Sequence, residues 1–430
     1  MRVRKKVIFL TGGTGFVGSY MAHRLLKEGY EIKFLARSSK GQSAEKRIKK
    51  SLRFIDSSYD FSNQYEVIEG DITKPNLGID PFKIQRLKNC IDEVWHCAAS
   101  ISFRAEEKDK TYKINVEGTR NVLEFATKMQ IPRLHYFSTA YVSGNRLGRV
   151  YEDELDCGQK FRNTYERTKF EAEKLVRDWK RRNRLGISIY RPSIVVGNSQ
   201  DGRAPTFAGY YTVARSFYLL RKMVLKRLDK YKYTQAGVFT KNGFLNLLVR
   251  IPCFPKGTVN IVTIDYLTDV IYDLASTLES VDKTFHIVNQ NPPTFEWLFN
   301  TSLSILGIEG FRLVNIRNSI RKSMNVYDFL SGVSTNELLA ELELEILLNC
   351  GVYFPYISGE PVFDDSNVRK LLGRTASHPP VTKKLIEKLL RYAMDTEFGK
   401  CPIQEGEVSS RVYVSEPVAL KAKTTMRVKE

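Results

Sequence analysis

Residues 7–18 read V-I-F-L-T-G-G-T-G-F-V-G, a short run of apolar and β-branched residues that enters a glycine-rich turn, and Ser19, Tyr20, Met21 and Ala22 continue it with helical character. Gly12, Gly15 and Gly18 therefore fall on a strand-to-helix turn. The first permits the tight turn, the second lets backbone approach a pyrophosphate, and the third lets the helix pack closely on the strand. The start of the helix adds free N–H groups and the positive end of its dipole, both suited to phosphate oxygens. Thr14, Phe16 and Val17 lie in the same turn and are assigned with the glycines to a dinucleotide.

Outward from this turn, short apolar runs alternate with helix-length amphipathic stretches. The runs are Val7 to Thr11, Ile32 to Ala36, Tyr65 to Glu69, Val94 to Ala98, Leu134 to Ser138 and Ile187 to Tyr190, with helices expected to begin near Gly15, Ile84, Thr111 and Tyr165. Such alternation builds a parallel sheet covered by helices on both faces. The fold expected is α/β, a Rossmann-type doubly wound parallel sheet with a smaller, mostly helical C-terminal substrate lobe. Residues 1–197 form the dinucleotide domain in this reading and 198–400 the lobe, which interleaves with the sheet near 259–289, where two further strand-like runs occur. Helical patterns resume near Thr294 and Pro380. Residues 401–430 are polar and aperiodic, which reads as a disordered tail.

The second run ends F-L-A-R-S-S-K, where a carboxylate would select the free 2′-hydroxyl of NAD. Arg37, Ser38 and Lys40 stand there instead. An arginine at this point can pair with a 2′-phosphate and stack on adenine, so NADP(H) is the cofactor expected.

Two further segments carry chemistry. In N-T-Y-E-R-T-K, Tyr165 and Lys169 are four apart at the start of a helix and share one face. A nearby ammonium favours the ionised phenol and makes it a usable acid-base group. The sequence H-Y-F-S-T-A-Y-V-S-G follows the fifth run, at the sheet end where open parallel sheets bind ligands. A hydroxyl there can hydrogen-bond a reacting carbonyl oxygen. Taken singly, each segment is also compatible with ordinary surface or strand-end residues; together and in this order they describe one site.

With these motifs the chain resembles an extended short-chain dehydrogenase/reductase, closest to the fatty acyl-CoA reductase, male-sterility and thioester-reductase branch. The resemblance covers roughly residues 5 to 395. It implies that Asp71 and Ile72 of G-D-I lie by the adenine, and that Ala98 and Ala99 of W-H-C-A-A-S pass beneath the cofactor. It implies that Asn115 of N-V-E-G-T-R-N-V-L helps hold the active-site lysine. Thr139 matches the catalytic hydroxyl, with Ser138 as the fallback, and Tyr165 and Lys169 match the acid and its partner; Lys169 also orients the ribose. Arg191, Pro192 and Ser193 of Y-R-P-S-I-V-V-G match the loop against the nicotinamide. The activity implied is NADPH-dependent reduction of a carbonyl, a fatty acyl thioester on coenzyme A or an acyl carrier being the substrate and aldehyde or alcohol the product. A nucleotide-sugar epimerase or dehydratase, or a sterol-type dehydrogenase, is the alternative on the same fold; Ser143, where epimerases carry the tyrosine of V-Y-G, counts against a sugar.

Composition narrows the partners. Lys and Arg number 67 against 48 Asp and Glu, a formal charge of +19 that suits nucleotide phosphates, coenzyme A, an acidic carrier protein or anionic lipid. No nucleic-acid-binding motif accompanies the charge, and none is expected to bind. Cys90, Cys97, Cys157, Cys253, Cys350 and Cys401 form no C-x-x-C pair and do not cluster with histidine, which points to a reducing compartment and no metal site. No apolar run is long enough for a signal peptide core or a membrane span, so a cytoplasmic protein, at most peripheral to a membrane, is expected. Adenylation and carrier segments are absent too, so a multi-domain synthetase does not fit this reading. The insertion from Tyr210 to Tyr233 places Val213, Phe217, Leu220, Val224 and Leu228 at helical spacing, with Arg215, Arg221, Lys222, Lys226 and Arg227 mostly off that stripe. It is either a core-facing helix or a lid with an acyl-lining face and a basic rim.

Overall fold

The structure, a computed structural model, describes residues 5–58, 60, 61, 63–183, 185–228, 233, 236–315, 338, 339, 341, 342, 346, 353, 356 and 359–400. The segment assigned to a tail, 401–430, lies outside the described residues.

Seven strands form the central sheet: β1 (Val7–Thr11), β2 (Glu31–Ala36), β3 (Tyr65–Glu69), β4 (Glu93–His96), β5 (Arg133–Phe137), β6 (Gly186–Pro192) and β7 (Thr284–Ile287). Their order is β7-β6-β5-β4-β1-β2-β3 and every pairing is parallel, with Ile8 of β1 opposite Ile32 on one side and Glu93 on the other. The reversal of direction on either side of β1 opens the crevice above the carboxyl ends of β1 and β4, the usual ligand position in such sheets.

Helices cover both faces because strands buried on two sides leave apolar residues on each. One face is closed by α1 (Phe16–Lys27), α2 (Ala44–Ile55) and, from far along the chain, the helix Ile264–Ala275; Met21, Leu25, Ile48, Leu52, Leu267 and Ile271 are buried there. The other face is closed by α3 (Pro81–Leu87), α4 (Lys108–Tyr112), α5 (Gly118–Lys128) and α6 (Thr164–Arg182), with Val122, Phe125, Ala172 and Val176 against the sheet. Between α4 and α5 the residues Lys113–Glu117 wind with π-helical geometry.

The helix α2 was not among those anticipated. Its stripe is reduced to Ala44, Ile48 and Leu52 among six Lys, Arg and Glu residues, too thin to stand out, while Ser43 caps it by accepting from the Lys46 amide at 3.2 Å. The two late strand-like runs do not pair with each other: Thr284–Ile287 is the sheet edge β7, and Ile261–Thr263 pairs with Ile194–Val196 apart from it.

A second core gathers Tyr211, Phe217, Leu220, Val224, Leu245, Ile251, Leu298, Leu303, Ile386 and Leu389. It holds α7 (Tyr210–Leu225), α9 (Phe295–Ile305) and α11 (Lys383–Asp395), with short strands at Phe239–Lys241, Phe244–Asn246, Arg250–Cys253 and Arg312–Asn315, whereas α8 (the Ile264–Ala275 helix already placed) and α10 (Ser366–Leu372) pack in the sheet-face cluster. The apolar stripe of α7 is therefore core: Phe217, Leu220 and Val224 are buried, and Val213 and Leu228 pack against the same cluster. No helix among the described residues is long and apolar enough to cross a membrane.

Candidate active site

The glycine turn leaves β1 with Gly12 at φ +81°, a left-handed conformation that suits glycine. A Cβ on Gly12 would stand 2.6 Å from the Ala98 amide nitrogen, and one on Gly18 would collide with the Gly12 carbonyl oxygen. The Gly15 amide donates to that same carbonyl at 2.9 Å. The first turn of α1 carries no acidic residue and no side chain caps it, so its amides stay available to an anion. A cradle this tight, open at a helix start, fits a dinucleotide pyrophosphate. Ala98 and Ala99 follow β4 as irregular backbone, and Ala98 donates to the Thr11 hydroxyl at 3.4 Å.

Beyond the end of β2, Arg37 is half exposed and its Nη1 donates to Asp71 Oδ2 at 3.2 Å. Burial works to raise the Asp71 pKa, but the Thr73 amide and hydroxyl together with Arg37 hold it below its ordinary value. Ile72 is buried against Gly118 and its carbonyl accepts from Asn121 at 2.7 Å. One residue here escaped the sequence reading. Arg47 on α2 donates to the Thr14 hydroxyl at 3.3 Å and to the Arg37 carbonyl oxygen, joining the glycine turn to the end of β2. With α2 unrecognised, the only available signal was one cation in a Lys-rich stretch.

Thr139 stands just beyond β5, where its hydroxyl donates to the Pro192 carbonyl at 3.4 Å and accepts from the Tyr141 amide at 3.3 Å. Tyr165, in the first turn of α6, is hydrogen-bonded to Thr139; burial pushes its phenol up to about 12, against the lowering effect of that bond. Lys169 is buried one turn further, and Nζ donates to the Phe137 carbonyl at 2.6 Å and the Tyr136 hydroxyl at 3.0 Å. Burial brings this lysine down to about 7, with Glu173 acting the other way. The sequence reading had the ammonium lowering the phenol; here the lysine is bonded to the β5 strand end, and burial dominates the tyrosine.

Asn115 sits in the π-helical segment. Its Oδ1 accepts from the Ser100 amide at 2.7 Å, and its Nδ2 donates to the Ser100 carbonyl and the Thr168 hydroxyl, both at 3.0 Å. It thus meets α6 beside Lys169 through Thr168. The wider π winding leaves room for such an inward polar side chain. Ser138 donates to Glu173 Oε2 at 2.6 Å and turns away from the position of Thr139.

Arg191, matched to the loop against the nicotinamide, keeps its guanidinium inside the protein. It is fully buried and engaged by Glu173, by the carbonyls of Glu152 and Glu154, and by His286, so this residue offers a cofactor only its backbone. Pro192 presents its carbonyl to Thr139, and the Ser193 hydroxyl is buried with no hydrogen-bond partner among the described residues.

Comparison with known proteins places this geometry. Residues 10–271 match the family model described as male sterility protein. A non-canonical nonribosomal peptide synthetase of Aspergillus campestris is 29% identical over 296 residues, which are 65% of this chain and 25% of that protein. Fatty acyl-CoA reductase 1 of Xenopus laevis is 30% identical over 227 residues, 44% of this chain and 43% of its own. The match thus spans about a quarter of the first relative and under half of the second. Among solved structures, the terminal R domain from the myxalamid PKS-NRPS biosynthetic pathway superposes with a TM-score of 0.70 at 26% identity, covering 94% of both chains.

Proposed function

The chain belongs to the male sterility protein family, and from that membership we propose that it is an NADPH-dependent reductase of acyl thioesters, releasing an aldehyde or an alcohol. The observation that carries the reading is the Thr139 hydroxyl bonded to Tyr165, with Lys169 one turn along α6, at the end of the sheet that carries the glycine cradle. The thioester class is supported by the relatives, a fatty acyl-CoA reductase and a synthetase-pathway R domain among them.

NADPH, when bound, supplies the two electrons that reduce the carbonyl carbon. Tyr165 donates a hydrogen bond to the substrate oxygen as charge develops on it, and the Thr139 hydroxyl, turning from the Pro192 carbonyl, donates a second. A phenol held near 12 is protonated at neutral pH and gives its proton to that oxygen. Lys169, one turn along α6 and brought down to about 7, is bonded to the Phe137 carbonyl and the Tyr136 hydroxyl; in the proposed cycle it is the reserve for the proton that Tyr165 loses. The thiol leaves as the carbonyl re-forms, giving the aldehyde; a second round of the same steps gives the alcohol. For the cofactor, Arg37 and Arg47 bracket the end of β2 with two guanidinium groups and no carboxylate on that strand end, which supports NADPH over NADH.

The phosphate-bearing handle of coenzyme A or of a carrier's prosthetic arm would meet the exposed Lys222, Lys226 and Arg227 at the end of α7. Arg221 is committed to the Gly307 and Gly243 carbonyls, both at 3.2 Å, and is not part of that rim.

The test follows loss of absorbance of the reduced nicotinamide with purified protein. Long-chain acyl-CoA, the same acyl group on a phosphopantetheinyl carrier domain, a long-chain aldehyde and a UDP-sugar are offered with NADPH or NADH. Consumption of NADPH with either thioester is expected; turnover confined to the sugar overturns the reading.

A further inference from the structure

We propose that Glu173 is a positioning residue of this site, joining the helix that carries Tyr165 and Lys169 to the two strand ends that flank the substrate oxygen. The inference rests on the reductase reading and deepens it.

Glu173 lies one helical turn beyond Lys169 on α6 and is fully buried, as is Arg191. Its Oε2 accepts from Ser138 at 2.6 Å, directly before Thr139. Arg191, directly before Pro192, reaches it three times, with Nε at 3.2 and 3.0 Å and Nη2 at 2.7 Å. Consecutive residues of the β5 end are thus held from consecutive turns of α6: Phe137 by Lys169 and Ser138 by Glu173. Thr139 emerges from that double clamp with its own hydroxyl on the Pro192 carbonyl, which the Arg191 anchor fixes in turn. A buried ion pair is a poor source of stability, because desolvation cancels much of the attraction, so its value here is geometric.

The same carboxylate sets the charge that Lys169 feels. Glu173 faces Arg191 from β6, Arg177 and Lys169 from α6, and Ser138 from β5, with His286 of β7 behind Arg191. Burial opposes its ionisation, but Arg191, Arg177 and Ser138 bring it down to about 2, so it is anionic. The other groups around Lys169 are uncharged: the Tyr136 phenol and the Cys97 thiol are pushed up by burial, and the His96 imidazole is pushed down to about 3 by burial and by Lys169 itself. That leaves Glu173 as the nearby anion favouring a protonated lysine.

The full chain with Glu173→Gln and, separately, Ser138→Ala tests this. Trace acetylation of Lys169 across pH, read by mass spectrometry without cofactor, reports the lysine's titration independently of turnover. For Glu173→Gln the midpoint is expected about one pH unit lower, and kcat at least about tenfold lower with KM within about twofold. For Ser138→Ala the midpoint stays in place while kcat falls about tenfold, because only the strand clamp is lost. A folded Glu173→Gln protein with wild-type labelling and wild-type kcat overturns the proposal. Should that variant fail to fold, Ser138→Ala decides: wild-type kcat overturns it and the selective kcat loss supports it. A wild-type chain that labels as expected but consumes no NADPH with any thioester would instead sink the reductase reading and leave the Lys169–Glu173 coupling standing.

Discussion

Tyr165 and Thr139 show how much of the site a single residue decides. The phenol is held in its protonated form by burial and is bonded to Thr139, which suits the proton donor proposed for it rather than an ionised group. Tyr165→Phe removes only the hydroxyl, and kcat is expected to fall about 10²–10⁴-fold with the melting temperature nearly unchanged, as steady-state kinetics beside a thermal melt will show. At Gly18 the constraint is steric: any Cβ meets the Gly12 carbonyl, so Gly18→Ala must push α1 off the turn. A cost of about 1–3 kcal/mol in a urea titration is expected, with NADPH affinity lost alongside. Both residues could be read from sequence because spacing carried them. Arg47 could not, since nothing in a run of lysines marks the one cation that folds back onto Thr14. Nor could the buried commitment of Arg191, because its anion Glu173 is 18 residues away and only the packing of α6 on β6 brings the two together.

At the scale of elements, long-range closure is what local patterns miss. The strands β1 to β6 announce themselves as apolar runs, and β7 too reads as a strand-like run, but its place at the sheet edge does not; it is tied in by a carboxylate from another segment. Glu152 accepts from the His286 amide of β7 at 2.9 Å and from the Asn367 amide of α10 at 2.6 Å. Burial pushes this carboxyl up to about 8, outweighing those two bonds, with Asp364 and Asp365 adding to the rise. A folded-state pKa above the unfolded value means the folded chain holds the extra proton. This group's contribution is therefore complete below the ordinary glutamate range and is lost as pH rises through about 8. One proton limits the slope to about 1.4 kcal/mol per pH unit. Glu152→Gln removes that dependence, so the variant's stability relative to wild type should improve steadily from acidic to mildly alkaline pH in urea titrations. A difference that stays flat across that range would mean Glu152 is ionised in the folded chain.

For the whole molecule, the glycine turn lies at a seam. Phe16 packs against both the sheet-face cluster and the core of the second lobe, and α1 is paired with the late helix α8. The net charge of +19 could not have located this: it says that anions are welcome, without saying where. A dinucleotide held at Gly12, Gly15 and Gly18 touches the element on which the two cores meet, so its binding energy should reach the cooperative unfolding of both. Ligand binding to the native state alone adds about 2.7 kcal/mol at a hundredfold excess over Kd. NADPH is therefore expected to raise the melting temperature of the chain as one transition, and NADH at the same concentration to raise it less. Replacing Arg37 and Arg47 together by alanine should erase the difference between the two cofactors while leaving the smaller NADH shift, because the pyrophosphate cradle is backbone and survives. If the double variant still prefers NADPH, the 2′-phosphate is held elsewhere; if NADPH moves only one of two separate transitions, the seam at Phe16 does not couple the cores.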